Sequence, residues 1–153
     1  MEQHTSIWLF LHNKVMLATF FGWFFAQTIK VALGVVNEKR FNFKWFIGTG
    51  GMPSSHAAGV TALVTAVGIQ EGVNTALFIV ALMFAVVVIA DAQGFRRATG
   101  KQAEVLNRML DDISHARGVK EERLKELLGH TPVQVFAGIF IGIITGFLFY
   151  WPI

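Results

Sequence analysis

Four apolar stretches, at residues 15–36, 57–69, 73–90 and 133–151, constrain this chain more than any other feature. The first has about the ~20 residues that a helix needs to cross a bilayer. The third contains a run, 77–90, almost free of polar groups. The fourth ends in Phe147, Phe149, Tyr150 and Trp151, an aromatic cluster suited to a membrane–water interface. The second is short and rich in Ala, Val and Gly. Begun at Ser54 and run to Gln70, a helix there reaches roughly 25 Å at ~1.5 Å per residue. Gln70-Glu71-Gly72 then predicts a tight helical hairpin into the third stretch. No secretory signal peptide is expected, because the first run is long and no small-residue cleavage site follows it.

Composition agrees with a chain dissolved in lipid. Hydrophobic residues make up 54% and charged residues 15%, where a soluble domain carries about 25% charged. The absence of cysteine excludes a disulfide scaffold, a zinc finger and a thiol nucleophile. The net charge of +3 does not point to nucleic acid, because the basic residues are few and lie between apolar spans. The segments 37–49 and 94–129 hold 11 of the 13 basic residues. With four spans these segments share one side, which the positive-inside rule makes the cytoplasm. Both termini and Glu71 then face outward.

The polar segment is itself helical in pattern. Ala103, Leu106, Met109, Leu110 and Ile113 recur at helical spacing over 101–113. A second short helix is predicted over 121–128, with Gly118 between the two. Gly129 suits a C-cap, and Thr131-Pro132 restarts a helix. The expected fold is therefore all-α. It is a polytopic membrane bundle of about four transmembrane helices, one domain over 1–153, with a cytoplasmic helical insertion at about 94–129.

Three segments carry chemistry. In Gly50-Gly51-Met52-Pro53-Ser54-Ser55-His56, the glycines allow a close bend and either serine suits a helix cap. A helix start with free N–H groups and hydroxyls is a ready anion site, and His56 stands in its first turn. In the second segment, Asp91 ends the third span, and Arg96 and Arg97 follow within two turns. Arginine forks suit phosphate oxygens. In the third, His130 precedes another helix start, with Gln134 one turn on. Gly138, Gly142 and Gly146 then recur every four residues, a spacing that favours close helix packing.

These segments together resemble the type 2 phosphatidic acid phosphatase superfamily. Pro53-Ser54-Ser55-His56 is similar to its Pro-Ser-Gly-His motif, and His130 through Gln134-Val135 to its His-x-x-x-Asp-Val helix. The nearer resemblance is to its divergent branch, the acid phosphatase/vanadium-dependent haloperoxidase-related proteins. There Gly-Met-Pro-Ser-Ser-His, Asp-Ala-x-Gly-x-Arg-Arg and Leu-Gly-His-Thr-Pro occur in this order. The resemblance implies a lipid phosphatase in which His130 is the nucleophile and His56 the general acid. Ser54, Ser55, Lys30, Arg96 and Arg97 would hold phosphate, and Asp91 and Gln134 would orient or support. No metal or other cofactor is implied. The chain departs from the pattern at Gln134, where the family has a carboxylate, and it lacks the Ser-Arg pair before the nucleophile. It also lacks the Arg-Pro that should follow Lys30, and Lys39 or Arg40 is the substitute.

The expected function is an integral membrane phosphatase acting on a lipid phosphate or diphosphate at the cytoplasmic leaflet, through a phosphohistidine. The alternative is a non-catalytic phospholipid-binding or transport protein on the same scaffold, motivated by Gln134. A metal-assisted enzyme, with a divalent cation held among Asp91, Glu104, Asp111 and Asp112, ranks third. Haloperoxidase chemistry, which needs bound vanadate, ranks last. The expected partners are a membrane lipid substrate and, because so small a bundle leaves a face incomplete, a second copy of the chain. The glycine row is the candidate contact of that homodimer.

Overall fold

The computed structural model describes residues 8–39, 51–117 and 129–151, without the side chains of 95–97 and 112–117. Among the described residues every long element is helical. These are α1 (Lys14–Glu38), α2 (Ser55–Glu71), α3 (Ala76–Ala90), α4 (Arg96–Arg117) and α5 (Pro132–Leu148). A π-helical turn, Asp91–Phe95, joins α3 to α4.

Short polar side chains start the apolar helices. The Asn13 side chain accepts from the Met16 N–H, Ser54 from Ala57, Thr75 from Phe78 and Thr131 from Gln134. Each such cap contributes about 1 kcal/mol by satisfying an N–H that the helix leaves open. At its other end α1 stops at Lys39, in the left-handed conformation with φ 51°.

The core sits around α2, which packs against α1, α3 and α5. Its inward residues are small: Ala57, Ala58, Ala62 and Ala66 are fully buried. The glycine row of α5 lies against it. A Cβ on Gly142 would stand 2.5 Å from the Ala58 carbonyl oxygen, and one on Gly146 2.6 Å from Thr65 Cβ. From the other side, a Cβ on Gly22 of α1 would stand 2.7 Å from Ala62 Cβ. Small residues let these backbones close up, which is how helices gain dispersion contact where lipid offers no hydrophobic gain. Gly138, Gly142 and Gly146 are thus used within the chain, which corrects the expectation that they form a homodimer contact.

The chain is an all-α membrane helix bundle. The 25 residues of α1 are long and apolar enough to cross a membrane, as is the 36-residue helix from Ala76 to Asp111, while α5 is apolar but shorter. The helix from Ala76 is roughly 54 Å long at ~1.5 Å per residue, beyond a hydrocarbon core of ~30 Å. The helix is therefore longer than a bilayer crossing requires. The sequence suggested that the third span stops at Asp91 and that a separate helix begins near Lys101. Instead the helix continues, with Gly94 absorbed into the π-turn. The helix predicted over 121–128, and most of the basic loop after Lys39, lie outside the described residues.

Candidate functional site

One end of the bundle gathers the chemistry-bearing residues. The N-termini of α2 and α5 meet there, stitched by the Ser54 N–H donating to the Gln134 carbonyl at 2.9 Å. Two helix starts directed to one place offer positive dipole ends to an anion. Ser54 is the N-cap of α2, so its hydroxyl is engaged with the Ala57 N–H at 3.3 Å. Ser55 occupies the first position of the helix and is buried.

Lys30 reaches this end from α1. Its ammonium donates to Gln27 Oε1 at 3.1 Å and approaches Ser55 Oγ at 3.5 Å. Gly51, at φ +82°, lies along its aliphatic stem, where a Cβ would meet Lys30 Cγ at 3.4 Å. Only 9% of Lys30 is exposed, and both of these partners are neutral. A buried cation with neutral partners is costly unless an anion joins it. Gln27 was not singled out as a site residue. The available signal was a polar side chain at membrane depth, three residues before a lysine on the same helix face.

His130 is 3% exposed and its ring lies 6.3 Å, centroid to centroid, from that of His56. Its orientation comes from Gln134. The Gln134 Oε1 accepts from the Thr131 N–H at 3.0 Å, closing a capping box, and lies 3.2 Å from His130 Nδ1. Because that oxygen accepts from a backbone N–H, the amide presents its acceptor to the ring. In the neutral ring Nδ1 then carries the proton and Nε2 the lone pair. One glutamine thereby caps α5 and fixes the histidine.

The third segment contributes through its backbone. The His130 N–H donates to the carbonyl of Ala92 at 3.0 Å. Ala92 is 2% exposed and lies in the π-turn. Such turns release carbonyls from the regular helical ladder and often accompany functional sites. Sequence reasoning missed Ala92, because no side chain advertises a backbone acceptor. Asp91 begins the same turn. The side chains of Arg96 and Arg97 lie outside the described residues, so their expected place at the phosphate does too. The same holds for Asp112, and Arg40 is likewise outside.

The structure thus brings together Lys30, Ser54, Ser55, His56, His130 and Gln134. The acids proposed for a cation behave differently. Glu104 pairs with Arg108 on the surface of α4. Among the described residues no three His, Cys, Asp or Glu side chains gather as a metal site.

Comparison with known proteins bears on this arrangement. The model of the Divergent PAP2 family matches residues 11–145. An uncharacterized membrane protein of Bacillus subtilis (strain 168), YuiD, is 39% identical over 145 residues, covering 88% of this chain and 92% of that protein. No solved structure matches the chain.

Proposed function

The chain belongs to the Divergent PAP2 family, and from that premise we propose that it is a membrane phosphatase for a lipid phosphate or diphosphate. The observation that carries this reading is the pair of histidines 6.3 Å apart at two helix N-termini, one of them held by Gln134. His130 Nε2 attacks phosphorus, and the bond from phosphorus to the leaving oxygen breaks. His56 gives that oxygen its proton. Water then attacks the phosphohistidine, His56 takes a proton from it, and inorganic phosphate leaves as His130 is restored. Lys30 and the helix N-termini stabilise the charge on the phosphoryl oxygens.

The site faces the cytoplasm in this reading. It lies at the end where the two basic segments join the helices, and the positive-inside rule assigns that end to the cytoplasm. The apolar surroundings favour a lipid over a soluble ester.

The test is phosphate release from a panel of phosphorylated lipids by the protein purified in detergent. Release should be lost in His130→Ala and in His56→Ala, by a factor of at least about 100, the usual worth of a positioned acid or nucleophile. Gln134→Glu gives a finer test. A carboxylate beside the ring favours imidazolium, which cannot attack, so the acidic limb of the rate–pH profile should move to higher pH. A profile unmoved by this change would remove Gln134 from the mechanism. A second reading, a non-catalytic phospholipid-binding protein, is favoured by the neutral amide at Gln134, which supports developing imidazolium less than a carboxylate does. It predicts vanadate or lipid-phosphate binding with no release.

A further inference from the structure

A cleft of about 680 Å³ opens at the other end of the bundle, between α1, α2 and α3. Its walls include Phe10, Phe20, Leu63, Val67 and Leu77. Glu71, at its mouth, lies 15 residues along α2 from His56, roughly 22 Å at ~1.5 Å per residue. The cleft is therefore separate from the histidine site. Apolar walls between membrane helices take hydrocarbon rather than water, and the volume falls within the ~300–1,000 Å³ of ligand pockets.

The mouth is polar and carries the negative charge of Glu71, and Lys14 follows the lining residue Asn13 in the chain. Tyr150 donates to Gln70 Oε1 at 2.6 Å, and Gln70 Nε2 donates to Glu71 Oε1 at 2.9 Å. The Lys14 ammonium stands over the Tyr150 ring, 5.4 Å from the centroid. Tyr150 and Gln70 thus link a cation to an anion through a chain of contacts. Among the described residues these two form no ion pair with each other. Asn13 also lines the mouth. Its oxygen is taken by the Met16 N–H at 3.1 Å, which leaves its amide NH₂ to serve a ligand acceptor.

We propose that this cleft binds one phospholipid with a zwitterionic, primary-amine headgroup, in the leaflet opposite the histidine site. An acyl chain fills the cleft against Phe10, Phe20 and Leu63. The lipid phosphate lies toward Lys14 and the Asn13 NH₂. The ammonium, with three hydrogens to donate, lies toward the Glu71 carboxylate. Phosphatidylglycerol offers Glu71 only neutral hydroxyls, and its net negative charge is repelled by that carboxylate.

The experiment is native mass spectrometry of the delipidated full chain, titrated with phosphatidylethanolamine or phosphatidylglycerol of identical acyl chains. One phosphatidylethanolamine should be retained, with about fivefold preference, the scale set by one interfacial charge pair. Glu71→Gln should bring the two lipids within twofold of each other. Leu63→Trp should fill the cleft and abolish retention. Leu77→Trp, on a residue 54% exposed, provides the same block where the fold has more room. His130→Ala should retain the lipid as the parent does, so the result is independent of the phosphatase reading. Equal retention of the two lipids by the parent overturns the proposal. Undiminished phosphatidylethanolamine binding in Leu77→Trp overturns it as well.

Discussion

Helices α2 and α3 are neighbours of similar length, 17 and 15 residues, built to opposite rules. The first is made largely of Ala, Gly, Ser, Thr and Val, and its small residues are buried against three other helices. The second is almost entirely Val, Leu, Ile, Phe, Met and Ala, yet only Ala81 and Ala85 are buried. Val80 and Val87 leave 65% and 62% of their surface exposed. In water this arrangement would be inverted. In hydrocarbon, apolarity no longer separates inside from outside, and side-chain size takes over that role. The most hydrophobic helix is a peripheral one, and the core is the helix that a hydropathy reading finds weakest of the four apolar ones.

Three substitutions probe this contrast, read as thermal unfolding in detergent. Gly142→Leu should have the largest effect. Its side chain has no space before the Ala58 carbonyl, and overpacking against backbone costs about 3 kcal/mol or more. Loss of folded, monodisperse protein is the expected outcome. Ala85→Leu tests whether the small stripe of α3 obeys the rule of α2. Ala85 is 4% exposed, and a cost of about 1–3 kcal/mol is expected as α3 is levered from its neighbour. Val87→Ala should have the smallest effect, within about 0.5 kcal/mol, because the side chain faces lipid. Should Val87→Ala cost as much as Ala85→Leu, the comparison breaks. The outer face of α3 would then be covered by protein, and a second copy of the chain becomes the first candidate.

The same contrast explains what could be read from the amino-acid sequence. The spans were legible because lipid demands long apolar runs, and two of the helix starts because Ser54 and Thr131 stand where caps belong; Thr75, the cap of α3, was not read as one. The row Gly138, Gly142 and Gly146 announced close packing but not its partner, since a stripe of small residues fits any similar stripe. The residues Ser54, Ser55, His56, His130 and Gln134 were legible as motifs, and Lys30 only through the family resemblance. What escaped was contact made by backbone. Nothing in Asp91-Ala92-Gln93-Gly94-Phe95 says that the helix continues as a π-turn. Gly94 argues for a break, at about 1 kcal/mol against Ala, and the bond from Ala92 to His130 is a tertiary matter that local propensity does not encode.

That π-turn also has a consequence for the length of the chain. A π-turn amounts to one residue inserted into a helix, and each residue turns a helix by about 100°. Everything beyond Phe95 is therefore rotated by about that angle from where an uninterrupted α3 would have carried it. Val105, Leu106 and Met109, all about half exposed on α4, point where they do because of this one extra residue. Deleting a single residue from 91–95 would return the helix to ordinary register and swing that face around. It would also return the Ala92 carbonyl to the helical ladder, away from the His130 N–H. The spacing between Asp91 and Arg96 is thus a count that the chain cannot alter without disturbing both α4 and the histidine.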